Sequence, residues 1–262
     1  TYIGDATNLT GTTLTENLVD SDTRINALEN NNNVVLSSPS GEKFIVQLDS
    51  SYQLQLIPVI PNDIVYVGNS LLLGFTTHGM ASYDTTDDYY ALVNDYIESK
   101  GVTLTPHKVS AVMFERAENS TQLNSFLNSL LLPALSSSTK LVIIQAGDNT
   151  TTQATRDFFK TSCATLIEFI HTNAPNARIA WVGTWYINSV NETIDSVCKQ
   201  YGIARIPLND LSMVDGNMSH IGATYIDANG DEQTITDAGV ASHPSPQGMK
   251  AIADRIISTL FN

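Results

Sequence analysis

The sequence contains no run of about 18 apolar residues, the length a helix needs to cross a bilayer, so no membrane span is expected. Its longest apolar stretches, such as Leu141 to Ile144, have the length of a buried strand. Basic residues are also scarce: 13 Lys and Arg face 27 Asp and Glu, a net charge of −14. With no basic cluster to offset that charge, a nucleic-acid backbone is repelled, and no nucleic-acid partner is expected. Only two cysteines occur, Cys163 and Cys198, both in predicted helices at positions that can face a core. Two buried free thiols are the simplest expectation, with a disulfide left open. No Cys or His spacing matches a zinc site. His107, His171 and His220 lack neighbours at ligand spacing and read as surface groups. Asp227 to Asp231 lacks the glutamate that closes an EF-hand loop, so it reads as a hairpin turn. No metal and no cofactor are expected.

The chain starts at Thr1 without a Met or a signal-peptide pattern, and it reads as a piece of a longer polypeptide. Its acidic surface, rich in Asn, Thr and Ser, suits an extracellular or particle-borne setting. The sequon Asn149-Thr150-Thr151 reads as chance, because a glycan there would block the site derived below.

What is present is enough apolar material for one α/β core and a small appendage: 42% of 262 residues are hydrophobic. Three regions are expected. In residues 1–33, Leu14, Leu18, Ser21, Ile25 and Leu28 alternate at spacings of four and three. This pattern predicts either a coiled-coil seam or one amphipathic helix docked on its own chain. Residues 34–60 predict a small β-hairpin, with Val34-Val35-Leu36 and Phe44 to Leu48 flanking Pro39-Ser40-Gly41. Pro58 and Pro61 mark the boundary to residues 61–262.

In residues 61–262 short apolar strands alternate with helices. Strands are expected at Ile64–Val67, Val109–Phe114, Leu141–Gln145, Arg178–Val182 and Ile203–Pro207. Helices are expected near Asp87–Ser99, Gln122–Leu132, Thr155–Thr172, Val190–Tyr201 and Pro246–Leu260. Such alternation predicts a parallel sheet covered on both faces. A site is then expected at the carboxyl ends of the strands.

Three segments fall at that edge. Gly68-Asn69-Ser70 follows the first strand, and Gly68 permits a tight turn that exposes Ser70. Gly147-Asp148-Asn149 follows the third, and the Asn149 amide is a neutral donor of the kind a developing oxyanion needs. Ser242-His243-Pro244 precedes the last helix, and His243 has the pKa range to accept a serine proton at neutral pH.

Taken together, these segments resemble the three sequence blocks of the SGNH (GDSL-like) hydrolases. The first block has Asn69 where the family usually has Asp, which matches a Gly-Asn-Ser subgroup. The second has Thr150 in place of its final Asp. The third continues through Gly248-Met249-Lys250-Ala251-Ile252-Ala253. Gly79-Met80-Ala81 with Asp87-Asp88-Tyr89-Tyr90 adds to the likeness, which covers about residues 61–262. The resemblance implies a flavodoxin-like three-layer α/β/α fold and a serine esterase. Ser70 would be the nucleophile and His243 the base. The Ser70 N–H and Asn149, with Gly147 beside them, would form the oxyanion hole.

Two departures stand out. Val240 occupies the place of the family's usual acid, so either Asp237 reaches His243 or a backbone carbonyl orients it in a Ser–His dyad. The segment Phe114 to Ser120 lacks the glycine that normally supplies a second backbone donor. Glu115 and Arg116 there would touch substrate or form a loop ion pair. His78 and Trp185 are further candidates for lining the substrate site, Trp185 as a sugar-binding wall, whereas Trp181 reads as core.

The N-terminal part, including Gly4-Asp5-Ala6-Thr7-Asn8-Leu9-Thr10, the heptad stretch and Val34 to Leu48 with Ser38 to Phe44 at its centre, resembles bacteriophage tail appendage proteins. That implies a virion-associated homo-oligomer, a trimer by the usual fibre geometry, which removes acetyl groups from a polysaccharide. A non-catalytic carbohydrate- or receptor-binding module, and a lipase or thioesterase using Leu71 to Leu73 as an acyl groove, are the competing expectations.

Overall fold

The computed structural model describes residues 34–37, 43–48, 54–186 and 188–261. The heptad pattern of residues 1–33 lies outside the described residues. Those described fall into two compact units that divide in sequence at Ile60 and Pro61.

The first unit contains a three-stranded antiparallel sheet of β1 (Val34–Ser37), β2 (Lys43–Leu48) and β3 (Leu54–Pro58), in that order. The expected hairpin is present, with Val34 opposite Val46 and Ser37 opposite Lys43. The third strand was not anticipated. It pairs Leu54 with Leu48 and Pro58 with Phe44, and its Leu-Gln-Leu-Ile alternation is the period-two signal of a strand.

The second unit is built on five parallel strands: β4 (Asp63–Gly68), β5 (Thr105–Ser110), β6 (Leu141–Gln145), β7 (Arg178–Val182) and β8 (Ala204–Ile206). Their order is β5-β4-β6-β7-β8. β6 is buried along its whole length, as a central strand covered on both faces must be. Alternate residues divide between the two faces. Val65, Val67, Val142, Ile144, Ile179 and Trp181 pack against α5 (Gln153–Asn173) and α6 (Val190–Tyr201). Tyr66 points the other way, bonding Asn94 through its hydroxyl at 2.8 Å and meeting the Tyr90 ring edge-on. Both partners lie on α2 (Tyr89–Glu98), which packs beside the last helix, α8 (Pro246–Leu260). The result is the three-layer α/β/α architecture expected of the SGNH hydrolase fold. No helix among the described residues is long and apolar enough to cross a membrane. Cys163 and Cys198 are both free and buried, on α5 and α6.

One strand is displaced from its expected position. β5 runs Thr105–Ser110, not Val109–Phe114, and Val112–Glu115 forms a short helix, α3, instead. β5 is an edge strand, so it needs no continuous apolar face and tolerates Pro106 in its ladder. Phe114 turns inward against Phe126, Phe159 and Trp181.

The chain leaves β4 in one direction to reach β5 and returns past β4 to β6, so the strand order reverses between β4 and β6. In open α/β sheets that reversal leaves a crevice at the carboxyl edge where ligands bind. Gly68 and Gln145, the last residues of those two strands, are direct neighbours there.

Candidate active site

Ser70 opens a one-turn helix, α1 (Ser70–Leu73), directly beyond β4. Gly68 is required at the turn because a Cβ there would lie 2.7 Å from the Leu72 Cβ. Asn69 caps the helix, accepting the Leu71 N–H on its side-chain oxygen at 3.1 Å. As the first residue of the helix, Ser70 has a backbone N–H with no intrahelical acceptor, which leaves it available to a ligand.

His243 approaches from the other side of the crevice. Asp237 caps a short helix, α7 (Ala238–Ala241), and the chain then turns into the loop that carries the histidine. That loop is pinned by Ser219 N–H on the His243 carbonyl at 2.9 Å and by Ser245 N–H on the Asn217 carbonyl at 2.8 Å. Ser245 then caps α8 through the Gly248 N–H, and Pro246 occupies the first helical position, where its missing N–H costs nothing.

The two segments bring Ser70 Oγ within 2.8 Å of His243 Nε2. His243 Nδ1 lies 2.8 Å from the Gly239 carbonyl oxygen. A carbonyl only accepts, so Nδ1 carries the proton and Nε2 presents its lone pair to the serine hydroxyl. Burial lowers the His243 pKa, opposed by the bonds at Gly239 and Val240 and by the negative charge of Asp148. The imidazole is therefore neutral, and a competent base, at pH 7.

Asp237, the expected third member, bonds elsewhere. Its carboxylate accepts the Val240 N–H at 3.0 Å, and no hydrogen bond joins it to His243 among the described residues. The helix it caps turns its own carbonyl at Gly239 towards the imidazole, so of the two expected geometries the one with a backbone carbonyl on the ring is present.

Glu115 also departs from expectation. It is 0% exposed, closed off from solvent. Its Oε1 accepts from Asn69 Nδ2 at 2.9 Å, Gly147 N at 2.6 Å and Asn149 N at 3.3 Å. Its Oε2 accepts from Asn149 Nδ2 at 2.7 Å. Burial pushes its pKa up, opposed by the amides of Asn69, Gly147 and Asn149, while Asp148 nearby adds to the rise. Arg116, beside it in sequence, is exposed.

This network engages two of the three groups expected at an oxyanion hole, Gly147 fully and Asn149 in part. The Gly147 N–H is committed to Glu115, so Gly147 serves through its backbone shape. Its φ is +135°, and a Cβ would lie 2.7 Å from Thr184 Cγ2. Asn149 gives one amide hydrogen to Glu115, which leaves its second for a ligand.

Asp148, at the centre of its block, is a hydrogen-bonded carboxylate that residue patterns did not single out. It accepts from Asn69 Nδ2 at 3.1 Å, Gln145 Nε2 at 2.9 Å and Tyr186 N at 3.3 Å. Burial raises its pKa, and these donors oppose the rise. Tyr186 in turn stands edge-on to His243, with ring centroids 6.2 Å apart, and its hydroxyl lies 2.8 Å from Ser242 Oγ. The buried Gln145 at the end of an otherwise apolar strand was the available signal for this network.

Trp185 and His78 do not form substrate walls. Trp185 is fully buried and donates Nε1–H to the Ser242 carbonyl at 3.2 Å, which holds the His243 loop. His78 is 1% exposed, with Nδ1 against Thr77 Oγ1 at 2.9 Å and its ring against Phe75. Asp227 closes the β9–β10 hairpin (Thr224–Ile226, Glu232–Thr234) by accepting the N–H groups of Asn229 and Asp231.

Among solved structures the chain is similar to phospholipase A1 from Streptomyces albidoflavus NA297. The TM-score is 0.52 at 14% identity, covering 76% of this chain and 99% of that one. It also matches an extracellular lipase from Streptomyces rimosus, with TM-score 0.48, 15% identity and coverage of 76% and 99%. An acetyl xylan esterase, Est2A from Butyrivibrio proteoclasticus, gives TM-score 0.46 at 12% identity, covering 79% and 65%. No protein-family model matches the chain, and no curated protein sequence matches it. At such identities the likeness speaks to the fold, which is that of the SGNH hydrolases.

Proposed function

We propose that this chain is a serine esterase that removes small acyl groups, acetyl foremost, from a carbohydrate. The observation that carries the reading is the Ser70 Oγ to His243 Nε2 contact, with the opposite imidazole nitrogen fixed by Gly239. In this mechanism Ser70 Oγ attacks the ester carbonyl carbon while its proton passes to Nε2. The Ser70 N–H and the free hydrogen of the Asn149 amide stabilise the oxyanion. The tetrahedral intermediate collapses, and Nε2–H protonates the departing alcohol. Water then attacks the acyl-serine with His243 as base, releasing the carboxylic acid and restoring Ser70. No cofactor is needed.

The preference for a short acyl group rests on Leu71 and Leu72. Both are fully buried, which leaves only the half-buried Leu73 of the expected acyl groove. A second reading, a lipase acting on longer chains, is favoured by one observation. Met213, Val214, Met218 and Ile221 are exposed on the segment that pairs with the His243 loop, Met218 opposite Pro244. A third, a carbohydrate- or receptor-binding module without catalysis, leaves the Ser70–His243 contact without a purpose.

The phage-tail resemblance adds the setting: an extracellular, virion-borne homo-oligomer, a trimer joined through residues 1–33, with a linker at 34–60 and the hydrolase at 61–262. An acylated polysaccharide is the natural partner in that setting. The test is acetate release from O-acetylated polysaccharides together with hydrolysis of p-nitrophenyl esters of two to eight carbons. Acetate release with a preference for the two-carbon ester supports the proposal. Preference for eight carbons supports the lipase reading. Glycan binding without any ester turnover supports the binding module.

A further inference from the structure

The crevice floor holds a carboxylate that the esterase mechanism does not use. Glu115 sits on α3, beyond the edge strand β5, and reaches under the crevice to the loops that follow β4 and β6. An ionised carboxylate offers about four lone-pair directions. Here four N–H groups donate to it, Asn69 Nδ2, Gly147 N and Asn149 N to Oε1 and Asn149 Nδ2 to Oε2. Three of these donors belong to the loop that carries the oxyanion amide, and the fourth to the residue before the nucleophile. The segment containing Glu115 is also the one that lacks the expected glycine donor.

Asn69 completes the arrangement. Its two amide hydrogens divide between Glu115 Oε1 at 2.9 Å and Asp148 Oδ2 at 3.1 Å, while its oxygen holds the Leu71 N–H at 3.1 Å. An aspartate here would face two carboxylates with no hydrogen to give. The Gly-Asn-Ser form of the first block and the Glu at 115 are thus two halves of one hydrogen-bonded unit.

Resting on the esterase reading, we propose that Glu115 is a positioning residue for the oxyanion hole: it clamps Asn149 and, through Asn69, fixes the Ser70 turn to it. Asn149 Nδ2 has two hydrogens, and the bond to Glu115 fixes the plane in which the second points. Without it the amide is free to rotate about its side-chain torsions. A donor that matters most when the carbonyl oxygen becomes an oxyanion affects the transition state more than the bound ester. Loss of the clamp therefore lowers kcat and leaves KM nearly unchanged.

The experiment is a double-mutant cycle on p-nitrophenyl acetate with the parent chain, Glu115→Gln, Asn149→Ala and the double variant. Asn149→Ala is expected to lower kcat by about 100-fold, the usual cost of one oxyanion donor. Glu115→Gln is expected to lower kcat by roughly tenfold, with KM within about twofold, and to add less than about twofold in the Asn149→Ala background. Equal losses in both backgrounds, or a Glu115→Gln change confined to KM, would overturn the proposal. Should Glu115→Gln fail to fold, the parent still answers by NMR. One Asn149 side-chain amide proton is expected well downfield of its geminal partner, and two ordinary shifts would overturn the clamp. Absence of any Ser70-dependent turnover in the parent would remove the esterase reading and this proposal with it, whereas turnover with independent effects removes this proposal alone.

Discussion

His243 Nδ1 bonds the carbonyl oxygen of Gly239, four residues earlier in its own chain, at 2.8 Å. A neutral acceptor thus occupies the place where serine hydrolases often set an aspartate. The carbonyl fixes the tautomer and the ring plane as a carboxylate does, but it adds no full charge to stabilise the imidazolium. Asp148 acts on His243 through space and holds Tyr186 beside it.

Asp237 accordingly has a local role. Asp237→Ala removes a helix cap and is expected to lower stability by about 1 kcal/mol. Its kcat/KM for p-nitrophenyl acetate is expected within a few-fold of the parent, and Asp237→Asn, which still caps, should be nearly silent in both measurements. Thermal unfolding and steady-state kinetics check this. A loss approaching the roughly 10⁴-fold of a true triad acid would contradict the dyad.

The pH dependence follows from the histidine. His243 acts as a base only when neutral, and burial holds its pKa below the ordinary value near 6.5. As pH falls through that lowered pKa the imidazole is protonated and activity is lost. The acid limb of kcat/KM should therefore have its midpoint below about pH 6.5. A midpoint above that value would indicate a carboxylate paired with the ring. Repeating the profile with Glu115→Gln separates the histidine from that carboxylate, whose pKa burial raises.

Much of this arrangement follows from residue patterns. The strands Leu141–Gln145 and Arg178–Val182 and the helices Val190–Tyr201 and Pro246–Leu260 lie at their expected bounds, because each is a periodic apolar segment with clear punctuation. β5 escaped because an edge strand needs little apolar character, and Phe114 belongs to the helical turn after it. Ser70 and His243 are brought together as the three blocks suggested. The burial of Glu115 was hidden because it depends on donors gathered from positions 69, 147 and 149, which no local pattern reveals. Trp185 was misplaced for a similar reason: its partner, Ser242, is 57 residues away.

Asn69→Asp tests the buried network directly. The substitution places a third carboxylate against Glu115 and Asp148 and removes the two N–H groups that satisfy them. At pH 7 it is expected to cost about 3 kcal/mol, as breaking a buried charged pair does. Like charges raise the folded-state pKa values further, so the penalty is complete above them and is relieved as pH falls and the carboxyls protonate. Urea unfolding at pH 7 and pH 5 measures both, and a penalty that grows on acidification would contradict the assignment.

The central claim is that Ser70 and His243 hydrolyse an ester as a pair. The most direct measurement is p-nitrophenyl acetate hydrolysis by the parent chain, Ser70→Ala and His243→Ala, each confirmed folded by circular dichroism. The account predicts turnover by the parent and a fall of about 10⁴-fold or more in kcat for either variant. Parent-level turnover in Ser70→Ala, or no turnover in the folded parent, would contradict it.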